Sequence, residues 1–228
     1  MRSRKARSSR CADRSCGGER KAPERGPRGV AFDLPGLGLA AKPPVFDYSW
    51  SGLGRWTGEA IDALGIERCH LLLHDIGGPI ALEWALRNRD RVRTLTVLGT
   101  LIDVAHFRRV WTMELAAPPV IGPLWVAGIR PPVGRWLFCL QGIGDRSATP
   151  AHEVDAHIAL LHTDGGASTF RKIVRGFELT GEKERFYTDG LLEAAWPTRS
   201  PGWRALPSRL ESGGVRPVAR AAAWLPPR

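Results

Sequence analysis

Leu53, Trp56, Ala60, Ile61 and Leu64 recur three to four positions apart, the spacing that lines one face of a helix, so residues 49–64 read as an amphipathic helix stopped by Gly65. The apolar run Leu71-Leu72-Leu73 predicts a buried strand. Gly77 to Asn88 predicts a helix apolar nearly all round and hence buried, and Val92 to Leu98 a further strand. Upstream, Gly29-Val30-Ala31-Phe32-Asp33 predicts a short apolar strand running into the turn Asp33-Leu34-Pro35-Gly36-Leu37-Gly38. The order strand, helix, strand, helix, strand requires crossovers, which imply three adjacent parallel strands covered by helices on both faces. From Thr100 to about Leu192 the pattern is helical without intervening strands. Amphipathic pieces fall at Glu153 to His162 and Phe170 to Phe177, with proline-rich joints separating them from Trp111, Trp125 and Trp136. A helical cap inserted over the sheet is the natural arrangement.

Charge sharpens the division of the chain. The 228 residues carry a formal charge of +10. Residues 1–29 hold ten Lys/Arg against three Asp/Glu, and residues 197–228 hold six against one. The excess therefore lies outside the periodic middle. Both ends are rich in Arg, Pro, Gly, Ser and Ala without apolar periodicity, a composition that cannot offset its own ordering entropy. Four segments are expected: a disordered basic tail at 1–29, a sheet-and-helix core at 30–103, a helical cap at 104–192 and a disordered Arg/Pro-rich tail at 193–228. Charge confined to low-complexity tails without interleaved aromatics argues against a nucleic-acid partner. Cys11, Cys16, Cys69 and Cys139 show no zinc-ligand spacing, so no metal is expected, and free thiols together with the lack of an apolar leader near Met1 suit a cytoplasmic protein. The apolar stretch from Leu115 to Ile143 is broken by prolines and Arg130, so no membrane helix is expected.

The chemistry concentrates at Leu71-Leu72-Leu73-His74-Asp75-Ile76-Gly77-Gly78-Pro79-Ile80-Ala81, an apolar strand running into a polar residue, two glycines and an apolar helix. A reactive side chain held on a sharp strand-to-helix turn needs small neighbours, which Gly77 and Gly78 supply, while Pro79 suits a first helical turn. Asp75 would then leave the carboxyl end of the strand where the following helix aims its free N–H groups. The arrangement reads as a nucleophile elbow with aspartate as nucleophile; the competing interpretation is that Asp75 merely caps the helix. Beside it, His74 reads as a packed core residue, and Cys69 as core.

Asp33-Leu34-Pro35-Gly36-Leu37-Gly38, His74-Asp75-Ile76-Gly77-Gly78-Pro79 and Arg89-Asp90-Arg91-Val92 leading to Leu98-Gly99-Thr100 together resemble the α/β-hydrolase superfamily, specifically its aspartate-nucleophile branch of epoxide hydrolases and haloalkane dehalogenases. The resemblance covers roughly Val30 to Trp196 and implies an α/β fold with a partial hydrolase sheet. It implies that Asp75 attacks an epoxide or alkyl halide to form an ester, that the backbone N–H of Ile76 serves the oxyanion, and that a histidine-activated water then releases the product. A free aspartate has a pKa of about 3.9, so at neutral pH such a nucleophile needs no base, whereas hydrolysis of its ester does. A small apolar organic substrate and no cofactor follow from the same resemblance. Trp111, Trp125, Trp136 and Tyr187 are the candidate pocket residues.

Two departures stand out. The last histidine is His162, inside the expected cap, and none precedes His70, so neither the expected base with its acid nor a His-Gly oxyanion loop is in place. Both tails read like out-of-frame translation of a GC-rich gene, with junctions near Gly29 and Pro197, an expectation checked by reading the encoding DNA in its other frames. Ile76 stands where dehalogenases usually place a tryptophan, and Tyr187 is the one tyrosine near the cap where epoxide hydrolases use two. The expected function is that of an aspartate-type hydrolase impaired in its second half-reaction, with a non-catalytic remnant as the alternative.

Overall fold

The computed structural model describes residues 29–143, 145 and 147–197 of the chain, together with the backbone of 198–200 and 216–217. Helix α1 (Trp50–Ala63) leads into strand β1 (Cys69–Asp75), helix α2 (Gly77–Ala85), a 3-10 turn at Arg89–Arg91 and strand β2 (Val92–Thr100). Six helices follow: α3 (Trp111–Ala116), α4 (Ile121–Gly128), α5 (Val133–Gln141), α6 (Ala151–His162), α7 (Gly166–Arg175) and α8 (Gly181–Ala194). Short strands β3 (Thr198–Ser200) and β4 (Arg216–Pro217) complete a parallel sheet in the order β1-β2-β3-β4.

Local chemistry explains the boundaries. Ser49 sits in extended backbone before α1 and accepts the Gly52 N–H, satisfying one of the donors a helix start leaves open. Thr180 does the same for α8 through the Lys183 N–H. In the sheet, Leu71 lies opposite Leu95 and Leu73 opposite Val97, and this face packs with Ile80 and Leu82 of α2 into the main core. Tyr187, Phe186 and Leu191 of α8, with Ile173 of α7, enter the same cluster, so the C-terminal part of the helical segment is built into the sheet's own core.

Three expectations are corrected. The segment 29–33 is irregular rather than a strand. Its apolar side chain Phe32 packs edge-on against Trp56 of α1 with ring centroids 5.6 Å apart, and Asp33 closes the next turn by accepting the Leu39 N–H at 2.9 Å. The third strand comes instead from Thr198–Ser200, at the start of the segment expected to be an unordered tail, where the backbone register pairs Leu95 with Thr198 and Thr96 with Arg199. The rest of both expected tails, apart from Arg216–Pro217, lies outside the described residues. Finally, among the described residues β1 is covered on one face only: His70, Leu72 and His74, which alternate onto the other face, are exposed.

Among the described residues β1 is an edge strand, and Leu72 on its open face is 66% exposed. An edge of this kind invites intermolecular pairing, and a lysine on the strand blunts it. Leu72→Lys is expected to leave the unfolding free energy within about 0.5 kcal/mol of the parent while lowering light scattering at matched concentration. Unchanged scattering would show that this edge does not drive association. No helix among the described residues is long and apolar enough to cross a membrane.

Candidate functional site

The corner between β1 and α2 is tight. Asp75 ends the strand with φ +49°, a left-handed backbone that non-glycine residues adopt at a cost of roughly 1–3 kcal/mol. Ile76 is already helical at φ −61°, ψ −20°, so the chain turns from strand to helix over a single residue. Thr100, the register partner of Asp75 on β2, donates its hydroxyl to the Asp75 backbone carbonyl and clamps the corner from the neighbouring strand. Gly78 lies directly under Thr100: a Cβ there would meet the threonine hydroxyl, its Cβ at 2.7 Å and its Cγ2 at 2.9 Å. Gly77 has open space instead, so of the two glycines Gly78 is the one that close packing requires.

The Asp75 side chain is exposed, and among the described residues its carboxylate has no hydrogen-bond or ion-pair partner. The start of α2 carries no side-chain cap, so the helix-capping alternative finds no hydrogen bond to support it. A carboxylate bare at a strand's carboxyl end, beside the free N–H groups of a helix start, can attack an electrophilic carbon or hold a cation. The Ile76 N–H lies at that same helix start.

The other sequence candidates scatter. His74 is exposed rather than packed in the core, because no element among the described residues covers its face of β1. Trp111 and Trp125 pack with their rings tilted and centroids 5.6 Å apart, and Trp125 Nε1 donates to the Thr112 carbonyl at 2.9 Å. Trp136 is 59% exposed. Tyr187 is fully buried, and its hydroxyl donates to Glu83 Oε1 at 2.8 Å, so it is committed to the core rather than to a pocket wall. A cavity of about 530 Å³ is lined by Arg109, Phe177, Glu178, Leu179, Thr180, Glu182 and Lys183, and neither Asp75 nor any of the four pocket candidates belongs to its wall.

Two clusters that spacing along the chain does not signal emerge instead. Glu83 of α2, buried, is held by Lys183 Nζ at 2.6 Å, the Tyr187 hydroxyl and Arg87 Nη1 at 2.7 Å. Lys183 reaches on to Ser51 Oγ at 2.6 Å and to Glu178 at 3.3 Å. Burial pushes the Glu83 pKa up, but the hydrogen bonds from Lys183, Arg87 and Tyr187 outweigh it and leave the carboxyl below its ordinary value. Burial, reinforced by the Glu83 charge, raises the Tyr187 phenol. The second cluster lies in the loop after β2, where His106 Nδ1 is 2.7 Å from Asp103 and 3.4 Å from Glu184 of α8. The Asp103 hydrogen bond is the main cause of a raised His106 pKa. These three side chains, with donor atoms within 4.8 Å of one another, are the described group able to hold a metal ion.

The α/β hydrolase fold family matches residues 19–152, across the corner, the sheet pair and the start of the helical segment. The chain belongs to that family. RutD of Variovorax paradoxus (strain S110) is 26% identical over 183 residues, which is 79% of this chain and 67% of RutD. Haloalkane dehalogenase 2 of Mycobacterium tuberculosis (strain ATCC 25618 / H37Rv) is 34% identical over 95 residues, 41% of this chain and 33% of that enzyme. The solved epoxide hydrolase CorEH superposes with a TM-score of 0.56 at 17% sequence identity, over 74% of this chain and 62% of CorEH, a likeness of fold. The chain thus spans between about one third and two thirds of the length of these relatives.

Proposed function

We propose that this α/β hydrolase uses Asp75 as a nucleophile toward a small apolar epoxide or alkyl halide. The supporting observation is the corner itself: a non-glycine residue at φ +49° whose carboxylate has no partner among the described residues and stands beside the start of α2. One Asp75 oxygen bonds to the electrophilic carbon as the carbon–halogen bond breaks and halide leaves. With an epoxide, a ring carbon–oxygen bond breaks and the resulting alkoxide takes a proton from water. Both routes leave an ester on Asp75. The similarity to a haloalkane dehalogenase and to the fold of an epoxide hydrolase agrees with this substrate class.

Hydrolysis of that ester requires a base positioned on a water beside it, and His70, His106, His157 and His162 are bonded elsewhere, to Thr94, Asp103, the Glu153 carbonyl and the Ile129 carbonyl. The ester is therefore expected to persist, which makes the protein a half-reaction enzyme. A second interpretation, the non-catalytic remnant, is favoured by the exposure of Asp75 and by its absence from the wall of the 530 Å³ cavity.

Intact-mass spectrometry after incubation with 1,2-epoxyhexane and, separately, 1-bromobutane separates the two. A single persistent adduct that peptide mapping places on Asp75 and that Asp75→Asn abolishes is the expected result. An adduct unaffected by Asp75→Asn would sink the aspartate assignment, and no adduct with either probe would establish the remnant.

A further inference from the structure

We infer that Asp103, His106 and Glu184 form a binding site for a divalent transition-metal ion of the zinc type, independent of Asp75. The donors come from two separate segments, the loop after β2 and the first turns of α8, and meet at His106 Nδ1, which lies 2.7 Å from Asp103 Oδ1 and 3.4 Å from Glu184 Oε2. Zinc binds imidazole nitrogen and carboxylate oxygen at about 2.0–2.2 Å, which places neighbouring donors of an octahedral or tetrahedral shell about 2.8–3.6 Å apart. The 3.4 Å separation falls inside that range, the 2.7 Å separation falls just short of it, and all three donors lie within 4.8 Å of one another, so an ion can enter by displacing one shared proton as the side chains adjust.

The set is also held in advance. Glu184 Oε2 accepts the Ala105 N–H at 3.0 Å, the kind of outer hydrogen bond that orients a ligating carboxylate. Ile102 and Val104, which flank Asp103, are buried in the main core and fix the loop. Two carboxylates and one imidazole suit a borderline cation better than a hard one, and three protein donors leave positions open for water or an oxygen ligand.

The test titrates the full-length chain, stripped with chelator and desalted, with Zn²⁺ by calorimetry and with Co²⁺ by visible absorption. One Zn²⁺ per chain with a micromolar Kd and Co²⁺ d–d bands are expected. His106→Ala and Asp103→Asn are expected to weaken Zn²⁺ at least about tenfold, with unchanged circular dichroism, while Asp155→Asn, at another ion-paired carboxylate, does not. Affinity no better than millimolar, or affinity retained in both cluster variants, overturns the assignment. Because neither readout uses alkylation, failure here is distinct from failure of the Asp75 nucleophile.

Discussion

Glu83→Ala is expected to cost about 3–5 kcal/mol of unfolding free energy, the range for breaking a buried ion pair from one side. Glu83 is 1% exposed and joins three parts of the fold: the turn after α2 through Arg87, α8 through Lys183 and Tyr187, and, by way of Lys183, Ser51 of α1. Removing it leaves the fully buried Tyr187 hydroxyl without its acceptor and weakens the hold of Lys183, which retains Glu178 and Ser51. Denaturant unfolding monitored by tryptophan fluorescence measures the loss, and a melting shift on the order of 10 °C is expected for a chain of this size. The double variant Glu83→Leu/Lys183→Met is expected to be less damaged than Glu83→Ala, since it removes both charges together. Equal or greater damage in the double variant would mean that packing, rather than uncompensated charge, dominates.

The same carboxylate sets an acid limit. Its folded pKa lies below the unfolded value of about 4.3, so the folded state binds this proton more weakly than the unfolded chain does. The contribution is complete above the unfolded pKa and is lost as pH falls through the folded one. Glu83→Gln, which cannot ionise, is expected to flatten this part of the stability profile below about pH 5. A variant profile parallel to that of the parent would assign the acid loss to other carboxylates.

These residues also mark where sequence legibility ends. Helix α1, strands β1 and β2 and helix α2 are readable because period and punctuation are local: Ser49 caps, Gly65 stops, and Leu71-Leu72-Leu73 runs into two glycines. Asp75 is legible for the same reason, since a strand, a sharp turn and a helix fit within eleven residues. Glu83 and Lys183 stand 100 positions apart, and nothing in either neighbourhood announces the other. Tyr187 presents the same difficulty, because its burial depends on α8 docking against α2 across that distance. The segment at 29–33 fails differently. Its apolar composition suits a strand, but a strand also needs a sheet edge, and here Phe32 packs on α1 instead. His74 alternates onto the second face of β1 as the period requires, yet burial depends on a covering layer that the described residues do not supply there.

Gly78→Val is the second large effect expected, about 3 kcal/mol, at the upper end of the cost of overfilling a packed core. The added Cβ would sit against the Thr100 hydroxyl, Cβ and Cγ2, and Thr100 cannot simply swing away, because it is fixed by the β1–β2 register and donates to the Asp75 carbonyl. Relief must come from α2 moving off β2, which opens the corner that presents Asp75. The variant is therefore expected to lose both stability, by chemical denaturation, and the rate of adduct formation at Asp75, by mass spectrometry. Gly77→Ala is the matched control: a Cβ there meets nothing within 4 Å, and alanine favours the first turn of α2 over glycine, so stability is expected to hold or rise by up to about 1 kcal/mol. If Gly77→Ala proved as damaging as Gly78→Val, the corner would depend on glycine backbone freedom at both positions. The close approach of α2 to Thr100 would then no longer account for Gly78.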